Sequence, residues 1–390
     1  MKHFGYTDSW YYDSMTDVYK IIKETCSHDP LIMEQKARLS SAFFFLCLLT
    51  LLPEVHNGEK IEVSSSPTKL FVFGDSYADT GNNPYTAVCW NEPYGVTFPG
   101  RPSGRFSNGR VLTDFIARYM GIKSPVPYRR WKLGGTNLHK NGLNFAYGGT
   151  GVFTTYLEGP NMTTQINDFE QLIERRVYTK QELTNSFAHV SLAGNDYTTF
   201  DFNDDPQKNL TAFTQSVVSQ LVLNLRRIYE LGVGRISVIA VPPFGCFPTV
   251  TSYKMCNDSL NSVSTFHNDL LKEAVEKLNN EIAADRSTYV ILDLYSEFMA
   301  AFNVQDSPPG IPRFENPLVE CCRGTTNESS CGVVGEDGAN EYTVCKNPKG
   351  SFFWDQMHPT QAGWIYVFPN LTSSLNTLLF PRGQPSYAAI

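Results

Sequence analysis

The 390-residue chain has no internal repeat, no low-complexity tract and no long polar linker. Nothing divides it into separate folding units, so one large domain is expected. It also has no cluster of basic residues. With a formal net charge of -7 and scattered lysines and arginines, it lacks the electrostatic footprint of a nucleic-acid binder. The mostly apolar run 42–52 is too short to span a bilayer comfortably, so stable membrane insertion is not expected. Between residues 321 and 345 there are four cysteines but no histidine, and adjacent cysteines are not ordinary zinc-ligand spacing, which argues against a structural zinc site. Nothing in the sequence bears on oligomeric state.

Hydrophobic residues make up 42% of the chain, enough for a sizeable core. The run 42–52 follows Lys36, Arg38 and two serines, the cationic-then-apolar layout of a secretory signal. Met33 stands where such a signal would start. Residues 1–32 are therefore expected to be an extension ahead of it, 33–60 the signal region and 67–382 the mature domain, giving an extracellular protein. Beyond the signal the cysteines are Cys89, Cys246, Cys256, Cys321, Cys322, Cys331 and Cys345. Four of them fall in a Gly-, Asn-, Ser- and Thr-rich stretch that disulfides could staple, and the odd total leaves at least one thiol without a partner in the chain. Sequons at Asn161, Asn209, Asn257, Asn327 and Asn370 fit a secreted glycoprotein.

Short apolar runs at 69–73, 143–146, 189–192, 236–241 and 289–292 read as buried strands. Between them, 208–231 and 259–284 carry apolar residues at three- and four-residue steps, as helices do, and 360–379 reads as a closing helix. Strands alternating with helices imply a parallel sheet covered on both faces. In such folds the reactive groups gather beyond the carboxyl ends of the strands.

The first strand runs into Gly74-Asp75-Ser76, a glycine turn that can lift a serine above the sheet. The G-x-S-x-G pattern of α/β-hydrolases is absent. A serine nucleophile needs a base, commonly a histidine oriented by a carboxylate. His358 lies in Asp355-Gln356-Met357-His358-Pro359, where Pro359 disfavours helical geometry and lets Asp355 curl back onto the imidazole. A helix-entry cap would use the same residues. Donors for an oxyanion are available at two further strand ends, the N–H of Gly148 in Tyr147-Gly148-Gly149 and the amide of Asn195 in Gly194-Asn195-Asp196. Each station taken alone is ordinary turn chemistry.

Together, in this order, they resemble the GDSL esterases and lipases of the SGNH hydrolase superfamily, in particular the long plant branch, over about residues 69–380. The resemblance rests on Gly74-Asp75-Ser76 with Asp79-Thr80-Gly81-Asn82-Asn83, on Asp355-x-x-His358-Pro359-Thr360, on the stretch from Pro102 to Arg110, on Pro242-Pro243 leading to Gly245-Cys246, and on Cys321-Cys322. It implies an α/β fold, a three-layer α/β/α sandwich with a mainly parallel sheet of about five strands. It implies a serine carboxylic ester hydrolase with Ser76, Asp355 and His358 as its triad, Ser76, Gly148 and Asn195 as oxyanion donors, and neither metal nor organic cofactor. The ester could be a small molecule, a lipid, with a role in lipid degradation, or an acetylated polysaccharide. Acyl transfer to an alcohol would use the same residues, and a non-catalytic ester- or sugar-binding glycoprotein is the alternative from another class. Tyr77 replaces the leucine of the family's four-letter name, Tyr147 a common serine, and Ala193 the glycine that opens the Gly-x-Asn-Asp block.

Overall fold

The computed structural model describes residues 67–134, 138–192, 194–200, 209–251, 255–282, 287–303, 313–326 and 328–379. The expected extension and signal region, Ala193 and the sequon residue Asn327 lie outside the described residues.

Six strands form one sheet: β1 (Lys69–Gly74), β2 (Val126–Pro127), β3 (Leu143–Asn144), β4 (Ser186–Ser191), β5 (Ile236–Ala240) and β6 (Tyr289–Asp293), in the order β2-β3-β1-β4-β5-β6. Every pairing is parallel. Five of these strands coincide with the apolar runs. The sixth, β2, is a half-buried two-residue edge strand ending in Pro127 and lies in no apolar run, unlike the equally short but buried β3.

The main helices are α1 (Leu112–Tyr119), α2 (Met162–Glu174), α3 (Asn195–Thr199), α4 (Leu210–Glu230), α5 (Asp258–Ile282), α6 (Leu294–Asn303) and α7 (Gln361–Leu379). Asn209 caps α4 by accepting from the N–H groups of Thr211 and Ala212, satisfying donors that the first turn leaves open. The α4 stripe Val217, Val218, Leu221, Leu225 and Ile228 is buried.

Residues along β1 alternate between two cores, as pleating demands. Leu70 and Val72 join the side chains of α1, α6 and α7 on one face. Phe71 and Phe73 join those of α2, α4 and α5 on the other. The result is a three-layer α/β/α fold. Fully burying an aliphatic or aromatic side chain contributes roughly 1.5–3 kcal/mol, so these two cores fix the sheet between its helical layers. From β1 the chain passes to β2 and β3 on one side, then crosses β1 to lay down β4, β5 and β6 on the other. The carboxyl end of β1 thus sits where the winding reverses, the crevice position in open parallel sheets.

A small antiparallel pair, β7 (Cys322–Gly324) and β8 (Tyr342–Val344), lies in the cysteine-rich stretch. Disulfides join Cys321 to Cys345, Cys322 to Cys331 and Cys246 to Cys256. Among the described residues Cys89 is the free thiol, and it is buried. The four clustered cysteines therefore form disulfides, consistent with the reading against zinc.

Candidate active site

β1 ends at Gly74 with φ +147°, and a Cβ there would lie 2.0 Å from the carbonyl oxygen of Ser191. Only glycine fits this close approach of two strands. The Gly74 peptide is gripped by the side-chain amide of Gln165 on α2, which accepts from Gly74 N–H at 2.8 Å and donates to Gly74 C=O at 2.9 Å. The Asp75 N–H donates to Ser191 C=O, and the Ala78 and Asp79 N–H groups donate back to Asp75 C=O. The chain therefore turns tightly just past the sheet, with Ser76 in the turn and facing the crevice.

Ser76 Oγ lies 2.8 Å from His358 Nε2. His358 Nδ1 lies 2.8 and 2.9 Å from the two oxygens of Asp355. Asp355 Oδ1 also accepts from the backbone N–H groups of Met357 and His358, and Trp354 N–H donates to His358 C=O at 2.7 Å. This is the curl that Pro359 allows. Helix α7 begins only at Gln361, with Thr360 Oγ1 accepting from Gly363 N–H, so Asp355 faces the imidazole instead of capping a helix. Burial would raise the Asp355 pKa, but the His358 ring and the backbone donors hold it below the ordinary carboxylate range. An ionised carboxylate on Nδ1 keeps the ring proton there and leaves Nε2 to accept from the serine.

The donor stations fall on either side. Asn195 Nδ2 donates to Thr150 C=O at 2.9 Å and, at 3.2 Å, to Asp75 Oδ2, which fixes the amide beside Ser76. Gly148 lines the same crevice, but here the structure departs from expectation. Its N–H donates to Asn83 Oδ1 at 2.6 Å and to Asp79 Oδ2 at 3.1 Å, so it is not turned freely to a substrate oxygen. Asn83 in turn donates to Gly148 C=O. Among the described residues nothing accepts from the Ser76 N–H.

The rest of the opening block is a staple. Asp79 Oδ1 accepts from the N–H groups of Gly81 and Asn82, and Asn82 Nδ2 reaches the carbonyls of Asn144 and Ala146 past β3. Asp79 is fully buried, and burial pushes its pKa up to about 6 against the pull of those backbone donors. The other buried histidines are removed from the chemistry. His189 in β4 pairs with Ser237 and His267 in α5 with Tyr197, and burial depresses them to about 3 and about 4. Among the described residues no group of His, Cys, Asp and Glu is arranged to hold a metal ion.

Ser76 and His358 open into a cleft of about 540 Å³, an ordinary size for a small-molecule site. By the strands they follow, its lining residues fall into two groups, or arms. After β4 and β5 come Tyr197, Leu210, Phe244, Phe247, Leu260 and Val263; after β3 come Tyr147, Gly148 and Glu158, joined by Asn83 and Thr86 from the loop after β1. One arm is apolar and the other is mixed.

The family model described as GDSL-like lipase/acylhydrolase matches residues 70–369. The chain belongs to this family. A GDSL esterase/lipase of Arabidopsis thaliana, At5g03610, is 48% identical over 86% of this chain and 96% of its own length. At3g09930, another GDSL esterase/lipase of that plant, is 44% identical over 87% of this chain and 96% of its own length. A third, At2g36325, is 41% identical over 89% and 99%. The protein is thus a GDSL ester hydrolase of the plant type.

Two residues of the GDSL site escaped the motifs. Gln165 carries no signal beyond its place in a helix. Tyr94 donates its hydroxyl to Asp355 Oδ2 at 2.8 Å across 261 residues of sequence, and only the fold joins them.

Proposed function

We propose that Ser76, His358 and Asp355 form the triad of this hydrolase and that its substrates are esters of aliphatic acids. The observation that carries the proposal is the unbroken run of hydrogen bonds from Ser76 Oγ to His358 to Asp355 at the floor of a cleft with one apolar arm. His358 Nε2 takes the Ser76 proton as Oγ bonds to the ester carbonyl carbon. The oxyanion is held by the Ser76 N–H, by the Asn195 amide once the oxyanion replaces Asp75 Oδ2 as one of its two acceptors, and by the Gly148 N–H once the oxyanion displaces Asn83 from it. Collapse breaks the ester C–O bond, and the alcohol leaves with the proton from His358. Water then repeats the sequence on the acyl-enzyme and releases the acid. The apolar arm takes the aliphatic chain and the mixed arm the alcohol, which favours lipid and other alkanoyl esters over acetylated polysaccharide. Ser76→Ala should abolish turnover of p-nitrophenyl butyrate and labelling by a fluorophosphonate while leaving the unfolding temperature within a few degrees. Undiminished turnover would remove Ser76 from the mechanism.

The chain also fits a secreted glycoprotein, as three disulfides suit an oxidising compartment. Asn209 and Asn257 are exposed, and their Oδ1 atoms accept from helix N–H groups, an arrangement that points Nδ2 outward for a glycan. Asn161 caps α2 in the same way. Asn370 instead donates to Glu297, so a glycan there would displace that contact. Mass loss on enzymatic deglycosylation of the plant-secreted protein, mapped by Asn209→Gln and Asn257→Gln, checks this; an unglycosylated secreted chain contradicts it.

A further inference from the structure

Tyr94 lies in the loop between β1 and α1, between the stretches 79–83 and 102–110 and in neither. It is 3% exposed. Its ring is fixed on several sides: Trp354 meets it edge-on at 6.3 Å between centroids and Phe106 at 6.4 Å. A Cβ on Gly332 would lie 3.2 Å from the tyrosine ring, so the Gly332 backbone packs directly against it. Gly332 follows Cys331, which is bonded to Cys322, and its carbonyl accepts from Asn91 Nδ2. The same disulfide-bonded segment grips the triad loop, because Cys321 N–H donates to Phe353 C=O at 3.0 Å and Cys322 N–H to Trp354 C=O at 2.7 Å. Tyr94, Trp354 and the cysteines at 321, 322 and 331 form one buried cluster. The cysteine-rich lobe thus clamps both ends of the Tyr94–Asp355 contact.

Asp355 Oδ1 already accepts from two backbone N–H groups and the imidazole. Oδ2 receives the imidazole at 2.9 Å and the Tyr94 hydroxyl at 2.8 Å. Without Tyr94, half of a buried carboxylate would face the apolar ring cluster with only the shared imidazole proton. We propose that Tyr94 is a positioning residue of the ester hydrolase, whose hydroxyl fixes the Asp355 carboxylate against His358 and tunes how strongly it holds the imidazolium. The proposal rests on Ser76, His358 and Asp355 being the triad.

The direction of its effect follows from charge. The Tyr94 O–H draws negative charge toward Oδ2. Removing it leaves a more basic carboxylate that stabilises the imidazolium better, so the acid limb of kcat/KM moves to higher pH. It also frees the carboxylate to rotate, so the neutral imidazole spends less time aligned with Ser76 and kcat falls. The other titratable groups near this carboxylate are Cys89 beside Tyr94, and Tyr77 and Asp75 at the end of β1. Burial keeps Tyr77, Tyr94 and Cys89 neutral by raising all three, so none of them titrates on the acid limb.

The experiment compares the full-length secreted enzyme with Tyr94→Phe and with 3-fluorotyrosine incorporated at position 94, using p-nitrophenyl butyrate from pH 4.5 to 9. A hydrogen bond to a charged group is worth enough to lower kcat roughly ten-fold or more. Tyr94→Phe should therefore lose about that much kcat with KM within about two-fold, and its acid limb should move to higher pH. The fluorinated phenol, a stronger donor of the same shape, should move the limb to lower pH with kcat near wild type. A purely structural role predicts a lower unfolding temperature with neither limb displaced, and that result overturns the proposal even if Tyr94→Phe folds poorly, because the fluorinated protein keeps the packing. Ser76→Ala separates the two readings: an active Ser76→Ala protein refutes the triad itself, whereas an inactive one beside pH profiles at position 94 that match wild type refutes only the role of Tyr94.

Discussion

Val263→Trp tests whether the apolar arm reads the acyl chain. Val263 lies near the start of α5 and lines the cleft together with Leu260, Phe244, Phe247 and Tyr197. An indole in its place fills the arm with bulk that displaces roughly four methylenes of chain. At about 0.8 kcal/mol for each buried methylene, the loss is roughly 3 kcal/mol, on the order of 100-fold in kcat/KM for a chain long enough to need the arm. The assay is kcat/KM for p-nitrophenyl esters from acetyl to dodecanoyl, in which the leaving group and its arm stay constant. Wild type should gain up to about four-fold per added methylene until the arm is full, then plateau. Val263→Trp should plateau several carbons earlier, with the octanoyl-to-acetyl ratio falling by roughly 30- to 100-fold. Thr86→Trp, in the mixed arm, should leave that ratio unchanged and alter the response to the alcohol instead. A wild-type series flat from acetyl to octanoyl, or a Val263→Trp variant that lowers every ester equally, would refute the assignment of the arms.

Two further outcomes concern the support around the site. The Asp79 carboxyl has a folded pKa near 6 against an ordinary 3.8, so its neutral form is favoured by folding; its contribution is full below about pH 3.8 and lost as pH rises through 6, a change of roughly 3 kcal/mol. The urea stability of wild type relative to Asp79→Asn should therefore fall between pH 4 and 7, and a flat difference contradicts the buried charge. Asp114, fully wrapped by Arg105 at 2.8 Å, Ser124 and the Val111 N–H, is held below its ordinary pKa: burial would raise it, but Arg105 outweighs burial. Arg105→Met should cost about 3–5 kcal/mol by stranding that carboxylate, and chemical denaturation showing less than about 1 kcal/mol would mean that water reaches it.

What the sequence discloses follows the distance over which each group is positioned. Ser76, Asp355 and His358 could be singled out as candidates because the local turn chemistry around each, a glycine before Ser76 and a proline after His358, coincides with the family's opening and closing blocks. The sheet could be read wherever a strand lies in an apolar run, as β1, β3, β4, β5 and β6 do. It could not be read at β2, where pairing with β3 needs two residues and no pattern. Arg105 stood in a recognisable stretch, but the stretch says nothing of Asp114, which lies in the next helix. Tyr94 and Gln165 are further still from legibility, because their partners are 261 and 91 positions away and neither residue type is unusual where it stands. The cysteines at 321–345 announced a stapled loop but not that the staple bears on Tyr94 and the triad loop.

Gly148 marks a different limit. Its residue type was read from a glycine turn at a strand end, and the structure does bring it to the cleft, but the state of its N–H depends on Asn83 and Asp79, both in the block that opens with Gly74-Asp75-Ser76. The bond to Asn83 satisfies a buried donor while the cleft holds no oxyanion, sparing the cost of leaving it unpaired. An oxyanion offers that N–H a close charged acceptor in place of the neutral Asn83 amide oxygen at 2.6 Å, the Asp79 carboxyl being the more distant acceptor at 3.1 Å, and charge-assisted hydrogen bonds are about twice as strong. The exchange therefore favours the transition state over the resting enzyme and over a neutral ester carbonyl, whose oxygen competes with Asn83 on equal terms. On that account Asn83 raises the threshold for engaging Gly148 until charge has developed on the substrate oxygen, which is the differential binding that accelerates a reaction without tightening the ground state.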